Sequence, residues 1–499
     1  MVKSTETKDN PINFNFDNSF ASSLEGFFVS CDAEPAIAPK LLHLNYALAE
    51  ELGLDPLALD SEAGLEIFSG NAVPQGSNTL AQAYAGHQFG GFSPQLGDGR
   101  ALLLGEVVDT QKRRRDIQLK GSGRTPYSRG GDAKAALGPV LREYLIAEAM
   151  HALGIPTTRA LAAVSTGANV YRETPLPGAI LTRVAASHIR VGTFQYGAAR
   201  GEVDKVRALA DYAILRHYPE IADAENPYLE FFVAVTDAQA ALVASWMNIG
   251  FIHGVMNTDN MTISGETIDY GPCAFMNIYS PGTVFSSIDQ HGRYAYANQP
   301  EILVWNLARL AETLIPIVDP DKNRAIELLT ETIDCIKPLY ESHWLAGMQS
   351  KIGLSTEDPQ DQKLITDLLS VMAEGQADFT LVFRHLAKVL LGVSDPARNL
   401  FKDPAAFDLW LQRWQKRLEQ EGVSKETSAE AMDRFNPIYI PRNHKVEEAL
   451  SAAVEQGDMK PFTKMLNVLS HPFEDIQEEE VYAEPPPLSN IPYRTFCGT

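Results

Sequence analysis

Asn260 and Asp269 stand nine residues apart, one closing the run His253-Gly-Val-Met-Asn-Thr-Asp-Asn260 and the other opening Asp269-Tyr-Gly271. An amide oxygen and a carboxylate at the ends of a short loop are hard donors, suited to a divalent cation that also holds phosphate oxygens. Transfer of phosphorus-centred groups needs such a cation, because negative charge must be neutralised as the bond to the leaving group breaks. Asp259, immediately before Asn260, is the carboxylate in this loop that could accept a proton from an attacking hydroxyl. It could also simply cap the turn.

A protein kinase arranges the same donors as H-R-D-x-x-x-x-N followed by D-F-G, and the first Asp takes the proton of the substrate hydroxyl. Val255 occupies the place of that Asp. The metal donors of a kinase are therefore present and its base is missing, so the chemistry has either been lost or changed. His253 is read as a packed structural histidine without a chemical role.

Gln95-Leu-Gly-Asp-Gly-Arg100 places Gly97 and Gly99 just ahead of a predicted strand, 101–108. Two glycines so spaced let backbone N–H groups approach phosphate oxygens, although an isolated G-x-G is more often only a turn. Lys120 ends the next strand, 116–120, where a kinase holds its triphosphate-neutralising lysine. Glu143, on a helix predicted over 139–153, supplies a carboxylate to hold that lysine. Taken singly, Lys120 reads as an exposed strand end and Glu143 as a solvated helix face. Glycine turn, strand lysine, helix glutamate, Asn260 and Asp269 in kinase order are much harder to obtain by chance. Arg183 and Arg190 lie seven apart, on similar faces if the segment is helical; they suit bidentate phosphate contacts or salt bridges between lobes, and spacing does not separate the two.

The elements that must position these residues divide into a strand-rich stretch and a helical one. Residues 39–53 have helical apolar spacing ending at Gly53, the strands 101–108 and 116–120 flank the basic run Lys112-Arg-Arg-Arg115, and that run reads as a solvated hairpin tip. Helical periodicity dominates beyond residue 205, over 237–247, 300–315, 323–337, 364–374 and 378–391. Residues 353–363 read as a surface loop, and Glu478-Glu-Glu480 with Pro485-Pro-Pro487 as an extended, non-helical tail. The expected fold is α+β, a kinase-like pair of lobes with extensions at both ends. Its predicted parts are an N-terminal extension 1–75, a nucleotide-binding N-lobe 76–204, a helical C-lobe 205–440 with the catalytic loop, and a C-terminal extension 441–499.

With 499 residues, 45% of them hydrophobic, the chain can bury large cores. Its formal net charge of −22 argues against nucleic acid or an anionic membrane as a partner, since both require a positive face. The first ten residues contain no apolar segment of the signal-peptide kind and already carry acids, and no apolar run reads as membrane-spanning, so the cytoplasm is the expected compartment. The four cysteines, Cys31, Cys273, Cys335 and Cys497, form no C-x-x-C pair.

The chain resembles the selenoprotein O family, also called YdiU. The resemblance is carried by Tyr84-Ala-Gly-His-Gln-Phe-Gly90, Gln95-Leu-Gly-Asp-Gly-Arg100, Gln118-Leu-Lys-Gly-Ser-Gly-Arg-Thr-Pro-Tyr-Ser-Arg-Gly-Gly-Asp132, Ala152-Leu-Gly-Ile-Pro-Thr-Thr-Arg-Ala160, the 253–261 loop, Asn298-Gln-Pro300, Trp305-Asn-Leu-Ala-Arg-Leu310, Pro441-Arg-Asn-His444 and Tyr493-Arg-Thr-Phe-Cys-Gly-Thr499. It implies a kinase-like fold that binds ATP reversed and transfers AMP to Ser, Thr or Tyr hydroxyls of proteins, with self-modification possible. UMP transfer with Mn2+ is associated with bacterial members. Gly97, Gly99, Arg100 and Lys120 would contact nucleotide; Asp132, Ala133, Arg183 and Arg190 would help hold it inverted. Asn260 and Asp269 would bind Mg2+, with Asp259 as proton acceptor.

The family usually has Gly where this chain has Ala133, and the added methyl group is expected to matter little. Cys497 occupies the place of selenocysteine in some members, and the resemblance implies a redox-sensitive disulfide with Cys273. Two other activities remain open: γ-phosphoryl transfer with Asp259 as base, and a catalytically silent scaffold.

Overall fold

The computed structural model describes residues 12–487 and 493–496, and its chain divides into two units. The first comprises residues up to 85, 95–144 and 158–188; the second comprises 86–94, 145–157 and everything from 189 onward.

The first unit is built on strands β1 (Phe28–Ser30), β2 (Lys40–Leu44), β3 (Leu80–Gln82), β6 (Ala101–Val108), β7 (Arg114–Lys120), β8 (Ala135–Ala136), β9 (Arg159–Tyr171) and β10 (Pro175–Ala185). They form one sheet in the order β1-β3-β6-β7-β10-β9-β2, with β8 also paired to β10. The numbers β4 (Gly86–Gln88) and β5 (Gly91–Ser93) belong to a separate hairpin of the second unit. Strand period explains the core: Leu102, Leu104, Ile117, Leu119, Ile180 and Val184 are all buried on the face that packs against Leu48, Leu59 and Phe68. The intervening positions Gln118 and Lys120 point to the other face.

Two local expectations are corrected here. The segment 39–53 is not one helix: its first part is β2, paired with β9, and helix starts only at Tyr46, where the Asn45 side chain accepts a hydrogen bond from the Leu48 amide. Leu41, Leu42 and Leu44 fit a half-buried strand as well as a helix, and pairing with β9 decides between them. The basic run is not merely solvated. Arg113 pairs with Glu51 and Asp109, Arg114 with Asp17 and Arg115 with Asp109, so only the turn at Lys112 keeps the character of a tip.

Long helices make up most of the second unit, among them Pro227–Ile249, Gln299–Val318 and Lys322–Lys351. By length and composition Pro227–Ile249 is apolar enough to cross a membrane, which the sequence reading did not find. Phe231, Val235, Leu242 and Trp246 on this helix are buried in the protein, a sufficient reason for its hydropathy. The 478–480 acids also depart from expectation: they lie in a 3-10 turn, Gln477–Tyr482, where Glu479 is buried and pairs with Lys464. The Pro441-Arg-Asn-His444 segment is anchored by Arg442, which is fully buried and donates to Asp378 and Asn277.

Candidate nucleotide and metal site

Each unit carries part of the predicted site. In the sheet, Lys120 on β7 donates to Glu143 Oε2 at 2.6 Å, as the sequence suggested. The same carboxylate accepts from Arg183 at 3.2 Å, and Arg183 also donates to Gln118 Oε1 at 2.6 Å. Register produces this cluster, because Gln118 lies opposite Arg183 across β7 and β10 and shares a face with Lys120 two residues on. Arg183 and Arg190 do not share a helical face. The run Ala-Ile-Leu-Thr-Arg-Val-Ala ends β10, while Arg190 is the residue preceding the helix Val191–Ala198.

The glycine turn has a packing reason of its own. A Cβ on Gly97 would sit 2.4 Å from the Tyr127 ring, and one on Gly99 would sit 3.0 Å from the Tyr127 carbonyl oxygen. Two amides of the turn are already committed, Asp98 N–H to the Gln82 carbonyl and Gly99 N–H to the Gly97 carbonyl. The glycines therefore hold a tight, internally bonded turn that presents Arg100, rather than an open amide cradle. Asp132 pairs with Arg172 at 2.8 Å, and that guanidinium holds its carboxyl below the usual carboxylate range. The neighbouring Ala133 has φ of +57°, so its cost is backbone strain as well as the methyl volume that the sequence reading considered.

The second unit holds the carboxylate loop. Arg190 donates through one nitrogen to the Asp259 backbone carbonyl at 2.7 Å and to Asp269 Oδ2 at 3.0 Å. It thereby ties the base loop to the D-Y-G turn. Asp269 is a non-glycine residue at φ +63°, a strained conformation of the kind held in place at functional sites. The Asn260 side-chain amide donates to the Val255 carbonyl at 2.9 Å, which fixes its Oδ1 as the outward acceptor. His253 is fully buried, bonds the Ile268 carbonyl and has its pKa lowered by burial, the behaviour of a structural histidine.

Asp259 differs from every other carboxylate in the loop region. It is 7% exposed; its Oδ2 accepts from the Gln88 side chain at 3.1 Å, and its Oδ1 is buried with no hydrogen-bond partner among the described residues. Burial pushes its carboxyl up to about 6, with Arg190 pulling in the opposite direction. A buried oxygen without a partner calls for a ligand, an ion or a catalytic duty.

Sequence reasoning gave no role to the Tyr84-Ala-Gly-His-Gln-Phe-Gly90 run, yet its hairpin β4/β5 braces this loop. His87 N–H donates to Thr258 Oγ1, Gln88 to Asp259 and Phe89 N–H to Asn257 Oδ1, while Gln195 bonds both Thr258 and His87. The glycines at 86, 90 and 91 signalled a hairpin; only its packing revealed what it touches.

Asn260 Oδ1 and the Asp269 carboxylate fit a hard cation. Among the described residues no three His, Cys, Asp or Glu side chains cluster to hold a metal.

A family model described as protein adenylyltransferase SelO matches residues 10–470. The chain belongs to the SelO family. SelO relatives cover it nearly end to end: a protein nucleotidyltransferase YdiU of Cereibacter sphaeroides is 62% identical over 97% of this chain and 100% of its own length. Proteins of the same name from Rhizobium rhizogenes and Rhizobium meliloti are 58% and 57% identical, each over 97% of this chain. The family and these relatives are named as protein nucleotidyltransferases. Cys273 is fully buried; Cys497 lies outside the described residues.

Proposed function

We propose that this chain has a protein-kinase-like fold and transfers AMP from ATP, or UMP from UTP, to Ser, Thr or Tyr hydroxyls of proteins, releasing pyrophosphate. The buried, unpartnered Oδ1 of Asp259, beside Asn260 and in a loop whose kinase base is replaced by Val255, carries this reading. A carboxyl raised to about 6 is ionised at neutral pH yet basic enough to take the proton of an attacking hydroxyl. Gln88 orients the carboxylate through its other oxygen, and Arg190 fixes the loop backbone relative to Asp269.

Lys120 and Arg100 are assigned to oxygens of the departing pyrophosphate, and Glu143 to holding Lys120; Gly97 and Gly99 shape the turn behind Arg100. Asp132, Ala133, Arg183 and Arg190 retain the nucleotide-positioning roles that the family likeness suggests, with Arg183 acting through Glu143. Asn260 and Asp269 would hold Mg2+ or Mn2+, which when bound neutralises charge developing on the phosphate oxygens. Thr495 supports a redox role for the tail: its hydroxyl donates to the Pro272 carbonyl at 2.6 Å, one residue before Cys273.

Incubation with α-labelled and γ-labelled ATP in parallel tests the reading. Protein label from the α position alone is the expected result. Label from γ would establish a kinase, and label from neither a silent scaffold.

A further inference from the structure

An open groove of about 620 Å³ lies in the second unit, lined by Phe89, Ile288 and Ile302 as apolar surface and by Arg293, His291, Asp289 and Glu301 among its polar residues. Its wall is bonded directly to the base loop. Phe89 N–H donates to Asn257 Oδ1 at 3.1 Å, and the Tyr294 hydroxyl donates to the same oxygen at 2.6 Å. The Phe89 and Tyr294 rings meet edge-on at 5.1 Å. Two residues along the chain from Asn257 is Asp259, whose carboxylate the neighbouring Gln88 holds.

Three features of this groove go beyond what folding requires. Phe89 is a non-glycine residue at φ +51° that leaves 39% of its surface exposed, and Ile288 is 52% exposed. A strained backbone that presents an aromatic ring to solvent beside a catalytic loop is a binding device rather than a packing one. Arg293 lies with its guanidinium 4.8 Å from the Trp305 ring centroid and has no carboxylate within ion-pair distance among the described residues. Asp289 lines the groove beside it but spends both carboxylate oxygens on the Arg293 and Tyr294 backbone amides, at 2.9 and 2.8 Å, rather than on the guanidinium. In a chain of net charge −22, a groove arginine without an acidic partner is complementary to an anionic group brought by another molecule.

We propose that this groove receives the polypeptide segment carrying the acceptor hydroxyl, with an apolar side chain against Phe89 and Ile288 and a carboxylate against Arg293. The proposal rests on the nucleotidyl-transfer reading of Asp259, and it names the substrate feature that the site selects. Asp289 and Glu301 also line the groove, so the selected carboxylate is confined to the neighbourhood of Arg293. The chain's own tail runs alongside, with Thr495 paired to Phe285 and Ser287, but no described tail residue lines the groove.

The test uses short fluorescent peptides with a central Tyr or Thr flanked by Leu and Asp, and matched peptides with Lys in place of Asp. Anisotropy measures binding to the full chain, and α-labelled ATP measures transfer. Wild type is expected to bind and label the Asp peptides preferentially. Arg293→Glu should weaken them by at least ~10-fold and reverse the preference toward Lys, a rescue that misfolding would not give. Ile288→Ala should weaken both peptides alike.

Unchanged affinity and preference in both variants overturn the groove proposal, even if transfer continues. Binding that follows the predicted preferences without any transfer upholds the groove and removes the nucleotidyl-transfer reading instead. If affinity responds to deletion of residues 493–499 and not to Arg293 or Ile288, the groove seats the tail and the proposal falls.

Discussion

The Lys120, Glu143 and Arg183 cluster and the 257–260 loop are both buried and both charged, but they are balanced in opposite ways. In the sheet, one carboxylate answers two cations, with Gln118 occupying a further donor of Arg183. In the loop, Asp259 keeps a buried oxygen without a partner, its ionised form is disfavoured, and Asp269 nearby sits in a strained backbone. A buried cluster in which two cations share one carboxylate fixes geometry, because removing that carboxylate strands both charges in low dielectric. An incompletely satisfied carboxylate lowers stability and keeps its basicity for a substrate.

The contrast can be broken at either end, and the effects should fall in order. Asp269→Ala is expected to eliminate α-label transfer and also to lower the melting temperature, because the buried Arg190 loses its carboxylate; intact labelling would remove Asp269 from the site. Asp259→Asn should slow transfer by ~10²- to 10⁴-fold, the scale of a lost general base. The same variant should be more stable than wild type by about 3 kcal/mol above pH ~6, since burial raises this carboxyl's pKa in the folded state.

The sign of that second effect follows from proton counting. Between the unfolded value of 3.8 and the folded value of about 6, the folded chain binds more protons than the unfolded one. Wild-type stability contributed by this group therefore falls as pH rises through that window, and the advantage of Asn should grow from about pH 4 to pH 6 and then level off. Denaturant melts across the pH range would show it; an advantage that is flat with pH would mean that Asp259 is not a destabilised carboxylate.

Glu143→Ala tests the balanced side. It leaves Lys120 and Arg183 buried without their shared carboxylate and should cost about 3–5 kcal/mol, measured by denaturant unfolding. A loss of activity with no loss of stability would show the cluster to be poised like the loop. The smallest effect is expected from Ala133→Gly, which relieves the backbone at φ +57° and should stabilise the chain by roughly 0.5–1 kcal/mol, less whatever unfolded-state entropy glycine adds.

Sequence reasoning found Lys120 with Glu143 because strand and helix periodicities place them in kinase order, and the pair is there. It singled out Asp259 by elimination, since Val255 stands where a kinase has its base, and the structure adds that this carboxylate is buried. It misjudged 39–53, whose leucines satisfy two periods at once, and it left open a helical face shared by Arg183 and Arg190, which the strand at Arg183 excludes. It passed over Gln88, Asn257 and Arg172, because a hydrogen bond across a long stretch of chain leaves no mark on spacing.

Residue types and their order along the chain were enough to recognise the family by its motifs, with the class of chemistry that goes with it, and to single out candidate donors. These follow from what Asn, Asp, Lys and Glu side chains can hold, and from short-range periodicity that local backbone geometry imposes. Only the tertiary structure decided that Asp259 is buried with one oxygen unanswered, that Arg183 shares Glu143 with Lys120, and that the β4/β5 hairpin braces the 257–260 loop. Burial, partner choice and pKa depend on which distant residues fold into contact, and those contacts are set by the packing of the whole chain.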